Sequence, residues 1–199
     1  MNFLARGYKQ ARGEKTKKEI LEVALQLFSE SGYTKVTVED IVKKSKTSKG
    51  SFYAHFGSKY EIFLEKFKEI DGFYESRVKE IPTHIPAKDK IVLFIKEQMT
   101  FIATELGLDL MRVIYSNALT NNPHDYFLDH RRPLFLILRN FVEESINNGE
   151  LNEDLTSDEI IRIINSAMFG VIYQWSMSNA GFKLADESEK LFKTIVKGL

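Results

Sequence analysis

Residues 37–59 read Thr-Val-Glu-Asp-Ile-Val-Lys-Lys-Ser-Lys-Thr-Ser-Lys-Gly-Ser-Phe-Tyr-Ala-His-Phe-Gly-Ser-Lys, and this stretch decides the fold of the N-terminal third of the chain. Thr37 is a good capping residue for a short helix, and Glu39 and Asp40 in the first turn of that helix suit the positive end of its dipole. After a break at Lys46-Thr47, Ser48 can cap a second short helix. We therefore expect two short helices joined by a tight turn.

The flanking sequence predicts a helix on each side of this pair. Thr16-Lys-Lys-Glu19 reads as a capping box, and the apolar residues after it have the spacing of one helix face. Ser58-Lys-Tyr-Glu61 reads as a second box that opens a longer helix continuing toward Tyr74 and Arg77. A supporting helix followed by two short helices is the unit that places a recognition helix in the DNA major groove.

The third helix offers DNA a suitable outer face. Its Phe52 and Phe56 are four residues apart and form the buried stripe. The outer face carries hydroxyl groups, one cation, ring donors and a glycine without a side chain. These residues are Thr47, Ser48, Lys49, Gly50, Ser51, Tyr53 and His55. These groups suit phosphates and base edges. Gly50 costs a helix about 1 kcal/mol relative to alanine, which close approach of the backbone to DNA would justify.

Composition is that of a globular protein with an uneven charge distribution. The 199 residues are 43% hydrophobic and 28% charged, which allows one large domain or two smaller ones. Residues 1–60 contain 12 Lys+Arg against 6 Asp+Glu, whereas the rest contains 16 against 22. The basic end is therefore expected to bind a polyanion.

Several classes of function and location are disfavoured. The chain has no cysteine, so disulfides and thiolate sites are excluded. Its N-terminus lacks the apolar core of a signal peptide, and the apolar runs 91–95 and 134–138 are too short to span a bilayer. We expect a soluble cytoplasmic protein without a metal or cofactor. The basic segment 6–18 is either a solvated arm or an arm that reaches the DNA.

The remainder of the chain is predicted to be helical, which makes the fold all-α. Pro82 and Pro86 interrupt the helical pattern, and no alternation typical of strands is present. We expect further helices at about 88–105, 108–120, 125–148, 157–179 and 186–197. Thr156-Ser-Asp-Glu159 reads as a capping box at the start of the fourth of these.

The segments Thr37-Val-Glu-Asp-Ile-Val and Ser48-Lys-Gly-Ser-Phe-Tyr-Ala-His-Phe-Gly-Ser-Lys59 resemble the N-terminal signature of the tetracycline-repressor-like (TetR/AcrR) family. The resemblance is dense over residues 16–64. It implies about nine helices, with a DNA-binding helix-turn-helix domain and its basic arm at 1–58 and an effector-binding and dimerisation domain at 59–199. It further implies a homodimeric repressor that binds a palindromic double-stranded DNA operator and responds to a small-molecule effector.

The resemblance also assigns roles to residues. Tyr53 and Lys59 would contact phosphates, with Thr37 assisting, and the groove would be faced by Ser48, Lys49, Gly50, Ser51 and His55. The family usually has glycine where this chain has Lys46. We expect a slightly strained or differently wound turn there, and a cation within reach of a phosphate.

The resemblance places an effector pocket among the middle helices. Polar candidates for orienting a ligand are Gln98, Arg112, Tyr115, Asn117 and His130. Large apolar candidates are Met99, Phe135, Phe169 and Tyr173, although most large apolar residues of this region are expected to be core.

The predicted helix from residue 157 is apolar on two sides. Ile161, Ile164 and Met168 mark one face, and Ile160, Ile163 and Ala167 mark a second. With Leu191 and Ile195 of the last helix, the second face would build a four-helix bundle across a twofold axis. A helix buried within a monomer explains the same pattern.

Two other functions remain as alternatives. His124-Asp125 and Asp129-His130 are the clustered His and carboxylate residues from which an enzyme or a metal site would be built, although acids are also expected at a helix start. A nonspecific DNA-coating protein would need the basic surface and no pocket. A regulator should instead prefer its palindrome by roughly a thousandfold.

Overall fold

The computed structural model describes residues 3–118, 125–151 and 154–199. Within these ranges the chain is helical and contains no strand, as predicted. It forms two compact units, Met1–Lys66 and Phe67–Leu199. The predicted boundary at 58/59 falls at the start of the fourth helix. No helix of the described residues is both long and apolar enough to cross a bilayer.

The first unit contains four helices: α1 (Phe3–Ser31), α2 (Val38–Lys44), α3 (Lys49–His55) and α4 (Lys59–Phe67), of which Phe67 is already counted in the second unit. Both short helices have the predicted bounds to within two residues. Phe52 and Phe56 are 0% and 2% exposed, so they form the predicted buried stripe. They lie with Ile20 and Ile41 in the core that fixes α3 against α1 and α2.

The first helix starts earlier than the sequence predicted. Thr16 does not cap it, because its hydroxyl donates to the carbonyl of Arg12 at 3.0 Å inside a continuous helix. The basic segment is therefore helical from Phe3. Gly32, with φ of 82°, ends the helix and its amide donates to the Phe28 carbonyl at 2.9 Å, as expected for a glycine after a helix C-terminus.

The second unit is a helical bundle around α6. Its helices are α5 (Glu69–Arg77), α6 (Ala87–Phe101), α7 (Gly107–Ala118), α8 (Pro133–Asn147), α9 (Ser157–Met177) and α10 (Leu184–Gly198). A π-helical turn, Ile102–Leu106, joins α6 to α7. α6 packs against α5, α8 and α10, and α9 packs against α7, α8 and α10.

One predicted helix has a different start. The pattern from residue 125 gives only a short 3-10 turn, Asp125–Leu128, and α8 begins at Pro133. Proline is favoured at the first position of a helix because it has no amide donor to satisfy there. The capping box that starts α9 is as predicted: the Thr156 hydroxyl accepts from the Glu159 amide at 3.3 Å, and the Glu159 carboxylate accepts from the Thr156 amide at 2.9 Å.

Candidate DNA interface, ligand cavity and partner surface

The second helix is held at its start by a reciprocal cap. The Thr37 hydroxyl accepts from the Asp40 amide at 3.2 Å, and the Asp40 carboxylate accepts from the Thr37 amide at 2.8 Å. The Thr37 hydroxyl also donates to the Asp40 carboxylate at 2.6 Å, and this bond, together with the one from the Thr37 amide, lowers the pKa of Asp40. Thr37 is exposed, which leaves it accessible to a phosphate while it positions α2.

Lys46 has the left-handed backbone conformation that its sequence position suggested. Its φ is 54°, a region that L-residues other than glycine rarely occupy. The turn is secured on both sides: the Ser45 amide donates to the Ile41 carbonyl at 2.9 Å, and the Thr47 amide donates to the Val42 carbonyl at 3.0 Å. The exposed Lys46 side chain therefore stands on a tight, strained turn between α2 and α3.

The third helix presents the predicted outer face. Ser48 caps it by accepting from the Ser51 amide at 3.1 Å. Tyr53 is 56% exposed although it follows the fully buried Phe52. A Cβ added to Gly50 would meet only the Ser48 hydroxyl at 3.8 Å, which is ordinary contact distance. Nothing within the described protein therefore requires a glycine at position 50.

Lys49 is paired with an acidic residue of the neighbouring helix. Its ammonium forms an ion pair with the Glu39 carboxylate of α2, and both side chains are more than half exposed. Hydrogen bonding raises the pKa of Lys49 and lowers that of Glu39. DNA phosphates would have to compete with Glu39 for this cation, or share it.

The Lys59 side chain is engaged within the protein, whereas the resemblance implied that it contacts a DNA phosphate. Its ammonium donates to the carbonyls of Tyr33, at 3.0 Å, and Val36, and lies 4.6 Å from the centre of the Tyr33 ring. Desolvation lowers its pKa. These carbonyls belong to the link between α1 and α2, so the Lys59 cation has its partners inside its own unit.

His55 lies beside the first helix. A Cβ placed on Gly13 would be 3.8 Å from His55 Cε1, and the histidine is half-buried. One turn farther along α1, the Lys17 ammonium lies 5.9 Å from the centre of the Phe56 ring. The end of α3 is thus in contact with the basic part of α1, where Arg12 and Lys15 are exposed.

The second unit contains a small, partly open cavity of about 30 Å³. Three of the nine predicted ligand residues line it: Gln98, Tyr115 and Phe169. The other lining residues are Phe67, Tyr74, Ile102, Met111, Phe127, Arg132, Leu134, Asn165, Met168 and Ile172. Burial raises the pKa of Tyr115, so its hydroxyl stays neutral in this apolar surrounding.

The remaining six predicted ligand residues do not line the cavity. Met99 is wholly buried core, and Phe135 is 4% exposed and stacks on His130 with ring centres 4.7 Å apart. The Arg112 guanidinium donates to the Ser176 carbonyl at 2.8 and 3.0 Å. The other two are Asn117, whose amide donates to the Val113 carbonyl, and Tyr173, which is 49% exposed.

Arg132 is the cavity residue that sequence reasoning should have noticed. It is 6% exposed, and its guanidinium donates to the Asp71 carboxylate at 2.9 Å and to the Tyr126 carbonyl at 3.3 Å. The Tyr126 hydroxyl donates to the same carboxylate at 2.7 Å. The available signal was an arginine directly before the proline that starts α8 and the apolar run 134–138.

The outer face of α9 requires one correction. Ile160 is 0% exposed and lies inside its own protomer, so its assignment to a partner-facing surface is wrong. Ile163 is 39% exposed and Met177 67% exposed. Between them the same helix face carries half-buried Ala167 and exposed Gly170 and Gln174, at alternating spacings of four and three. That spacing is the seam of a helix pair. We call these five residues the α9 seam.

The α10 candidates are compatible with a partner surface but less exposed. Leu191 and Ile195 are half-buried, beside the buried Phe192 and Val196.

The cluster of His and Asp residues considered as a metal site lies partly outside the described residues, because His124 and the side chain of Asp125 are not among them. Asp129 is bound by the Arg131 guanidinium at 2.8 and 2.9 Å, which lowers its pKa to about 2.

Comparison with known proteins gives matches at both ends of the chain. The profile of "Bacterial regulatory proteins, tetR family" matches residues 20–65. The profile "MAATS-type transcriptional repressor, C-terminal region" matches residues 133–199. Together they cover more than half of the chain. A curated relative, the fatty acid metabolism regulator protein of Bacillus subtilis (strain 168), is 24% identical over 186 residues, which is 91% of this chain and 94% of that protein.

Solved structures have the same fold. FadR of Thermus thermophilus, a transcriptional repressor in complex with lauroyl-CoA, is similar with a TM-score of 0.71 at 18% identity, covering 92% of this chain and 94% of that one. FadR of Bacillus subtilis in complex with stearoyl-CoA is similar with a TM-score of 0.67 at 25% identity, covering 92% and 98%.

Proposed function

Because this chain belongs to the TetR family of bacterial regulatory proteins, we propose that it is a sequence-specific transcriptional repressor whose operator binding is changed by a small, largely apolar ligand. It acts in the cytoplasm, where its operator DNA lies. The observation that carries the proposal is the outer face of α3. Phe52 and Phe56 are buried beneath that face, while Tyr53 is exposed and Gly50 has no neighbour that requires glycine.

Residues of α3 and its surroundings contact different parts of the DNA. Ser48, Lys49, Gly50, Ser51 and His55 face the groove, and Tyr53, Thr37 and Lys46 contact phosphates. Lys59 acts by holding the link between α1 and α2, as its bonds to the Tyr33 and Val36 carbonyls suggest.

The sensing half of the proposal rests on the cavity of the second unit. Its walls are mainly aromatic and aliphatic, which suits an apolar ligand. The FadR structures contain acyl-CoA ligands, and we extend to this chain only their largely apolar character. Helix α4 begins at Lys59 in the DNA-binding unit and ends at Phe67, which lines the cavity. One helix thus contributes to both sites, as a coupling mechanism requires.

The protein is proposed to bind its operator as a twofold dimer through α9 and α10. The α9 seam provides a largely exposed row that is apolar except for Gln174, with small residues at its centre, beside the helix face that packs in the protomer core. Leu191 and Ile195 would flank it. A dimer is needed because two half-sites about one helical turn apart have to be held by one assembly.

The decisive experiment measures operator affinity with and without ligand. An operator is first selected from random DNA, and its affinity is compared with that of a scrambled duplex by fluorescence anisotropy. We expect a preference of about a thousandfold or more. A ligand such as lauroyl-CoA should then change operator affinity by about five- to 150-fold, and the operator should change ligand affinity by the same factor.

The outcomes separate the alternatives. Equal affinity for operator and scrambled DNA would instead support a nonspecific DNA-coating protein. If the protein preferred its operator but no ligand changed that affinity, the proposed ligand response would be contradicted and the proposed sequence-specific DNA binding would still hold.

A further inference from the structure

The cavity wall contains a buried amide nitrogen that has no hydrogen-bond partner. Gln98 lies on α6, lines the cavity and is 3% exposed. Its side-chain oxygen Oε1 is fully covered, whereas the nitrogen Nε2 keeps accessible surface, and neither atom has a partner among the described residues. Because protein covers nearly all of this residue, the surface left to Nε2 opens to the cavity. The wall therefore offers a hydrogen-bond donor to a ligand.

The cation of the same wall is already engaged. The Arg132 guanidinium donates to the Asp71 carboxylate through Nε and Nη2, and to the Tyr126 carbonyl through Nη1. A ligand oxygen that approached Arg132 would have to compete with these acceptors. Gln98 Nε2 can instead donate to a ligand without losing a bond inside the protein.

Burial makes an acceptor at this place selective. An unpaired buried N–H group destabilises a protein, and a ligand oxygen that meets Nε2 supplies the missing partner, whereas a methylene at the same place leaves the donor unpaired. Most of the wall is apolar, including Phe127, Met168 and Phe169, and it suits a hydrocarbon chain. A chain that carries one carbonyl group fits both parts of the wall.

We propose that the effector is an acyl thioester or ester whose apolar chain lies in the cavity and whose carbonyl oxygen accepts a hydrogen bond from Gln98 Nε2. This inference rests on the proposed function and specifies how its ligand is recognised. A carbonyl oxygen is a good acceptor, whereas a thioether sulfur is a weak one. Gln98 thus distinguishes an acyl thioester from an alkyl thioether of the same length.

Lauroyl-CoA and S-dodecyl-CoA test the proposal, because the second has a methylene where the first has its carbonyl and is otherwise identical. Their dissociation constants for the full chain are measured by isothermal titration calorimetry at neutral pH. The cavity of about 30 Å³ has to enlarge for either chain, so the ratio of the two constants isolates the carbonyl. We expect lauroyl-CoA to bind about fivefold or more tightly than S-dodecyl-CoA.

Variants assign this preference to Gln98. Gln98→Met has a similar length and no donor, so it should bring the two affinities to within about twofold of each other. It should also raise the melting temperature of the free protein, because the unpaired amide is removed. Gln98→Leu serves as the second variant should the methionine variant fail to fold. Ser188→Ala removes an unpaired buried hydroxyl away from the cavity, so it should keep the preference of the wild type.

Three results would overturn the proposal: S-dodecyl-CoA binding as tightly as lauroyl-CoA, an unchanged preference in the Gln98 variants, or no binding of lauroyl-CoA. The proposed function has separate readouts. If lauroyl-CoA changed operator affinity while the two CoA compounds bound equally well, the role of Gln98 would be refuted and the proposed ligand response would stand. The comparison of operator with scrambled DNA tests sequence-specific binding without any ligand.

Discussion

The Nη2 atom of Arg132 lies 2.9 Å from Oδ1 of Asp71, and this contact joins the start of α8 to α5 in the interior of the second unit. The arginine side chain is 7% exposed and the aspartate side chain 21%. The guanidinium carbon also lies 3.9 Å from the centre of the Tyr126 ring. A charge this well covered depends on its partner, because neither water nor salt can replace it.

Asp71→Asn should therefore lower the free energy of unfolding by about 3 kcal/mol, since Arg132 would keep its buried charge without a counter-ion. The neighbouring pair of Asp129 and Arg131 provides a matched control, because the Arg131 side chain is 90% exposed. Asp129→Asn should have little effect on stability. Urea denaturation of both variants checks this, and equal losses would show that burial does not set the strength of the Asp71 pair.

Lys46→Gly should stabilise the first unit by about 0.5 to 1 kcal/mol. Glycine adopts the φ of 54° without the penalty that lysine pays, although it loses more backbone entropy on folding. Lys43→Gly, inside α2, should instead destabilise the unit by about 1 kcal/mol. Thermal unfolding followed by circular dichroism measures both, and changes of the same sign would contradict the strain assigned to Lys46.

Gly50→Ala should separate stability from DNA binding. The added methyl group fits the protein and favours the helix, so stability should rise by about 0.5 to 1 kcal/mol. Operator affinity should nevertheless fall, because the methyl group would hold the α3 backbone away from the DNA. Gly72→Ala in α5, where a Cβ also has open space, is the control and should keep operator affinity. A Gly50→Ala variant that binds the operator with unchanged affinity would contradict the close approach of the α3 backbone to the DNA at this position.

The pair of Lys49 and Glu39 predicts opposite effects of two substitutions. Lys49→Ala should weaken operator binding and reduce the slope of its salt dependence by about one unit for each phosphate that the protein no longer neutralises. Glu39→Gln should strengthen binding, because it frees the Lys49 ammonium and removes a negative charge near the phosphates. Lys59→Ala should weaken binding and also destabilise the first unit, since the Tyr33 and Val36 carbonyls lose their donor. Affinities measured at several salt concentrations test all three, and an unchanged slope in Lys49→Ala would exclude its phosphate contact.

Ile163→Glu should convert the protein to monomers that lose operator binding. The substitution places a charge in the α9 seam, whereas the buried Ile160 is unsuitable because its replacement would unfold the protomer. Tyr53→Glu changes an exposed aromatic residue of the first unit and should abolish operator binding while the dimer remains. Sedimentation at micromolar concentration distinguishes the two. A monomeric wild type, or a dimeric Ile163→Glu variant, would contradict an interface through α9.

The sequence predicted local structure best where a few neighbouring residues decide it. The caps at Thr37 and Thr156 and the Phe52 and Phe56 stripe follow from contacts within four residues, and all are found. The Thr16 cap was wrong because the same hydroxyl can instead bond to the carbonyl four residues earlier, inside a helix that simply continues.

The cavity and the partner surface were harder to predict because they depend on how distant helices pack. A large apolar side chain such as Met99 looks the same in the sequence whether it fills the core or lines a cavity. Ile160 and Ile163 are three residues apart and equally apolar, yet neighbouring helices cover only the first. Arg132 was overlooked since its partner, Asp71, lies 61 positions earlier in the chain.

The early start of α1 has an entropic consequence for operator binding. A disordered basic arm would lose backbone freedom on reaching DNA, at roughly 1 to 2 kcal/mol for each residue that becomes ordered. Arg12 and Lys15 stand on a helix that is already formed and that touches the end of α3 through Gly13 and His55. Any contact they make with a phosphate thus avoids that backbone penalty, so a larger share of its electrostatic contribution counts toward affinity.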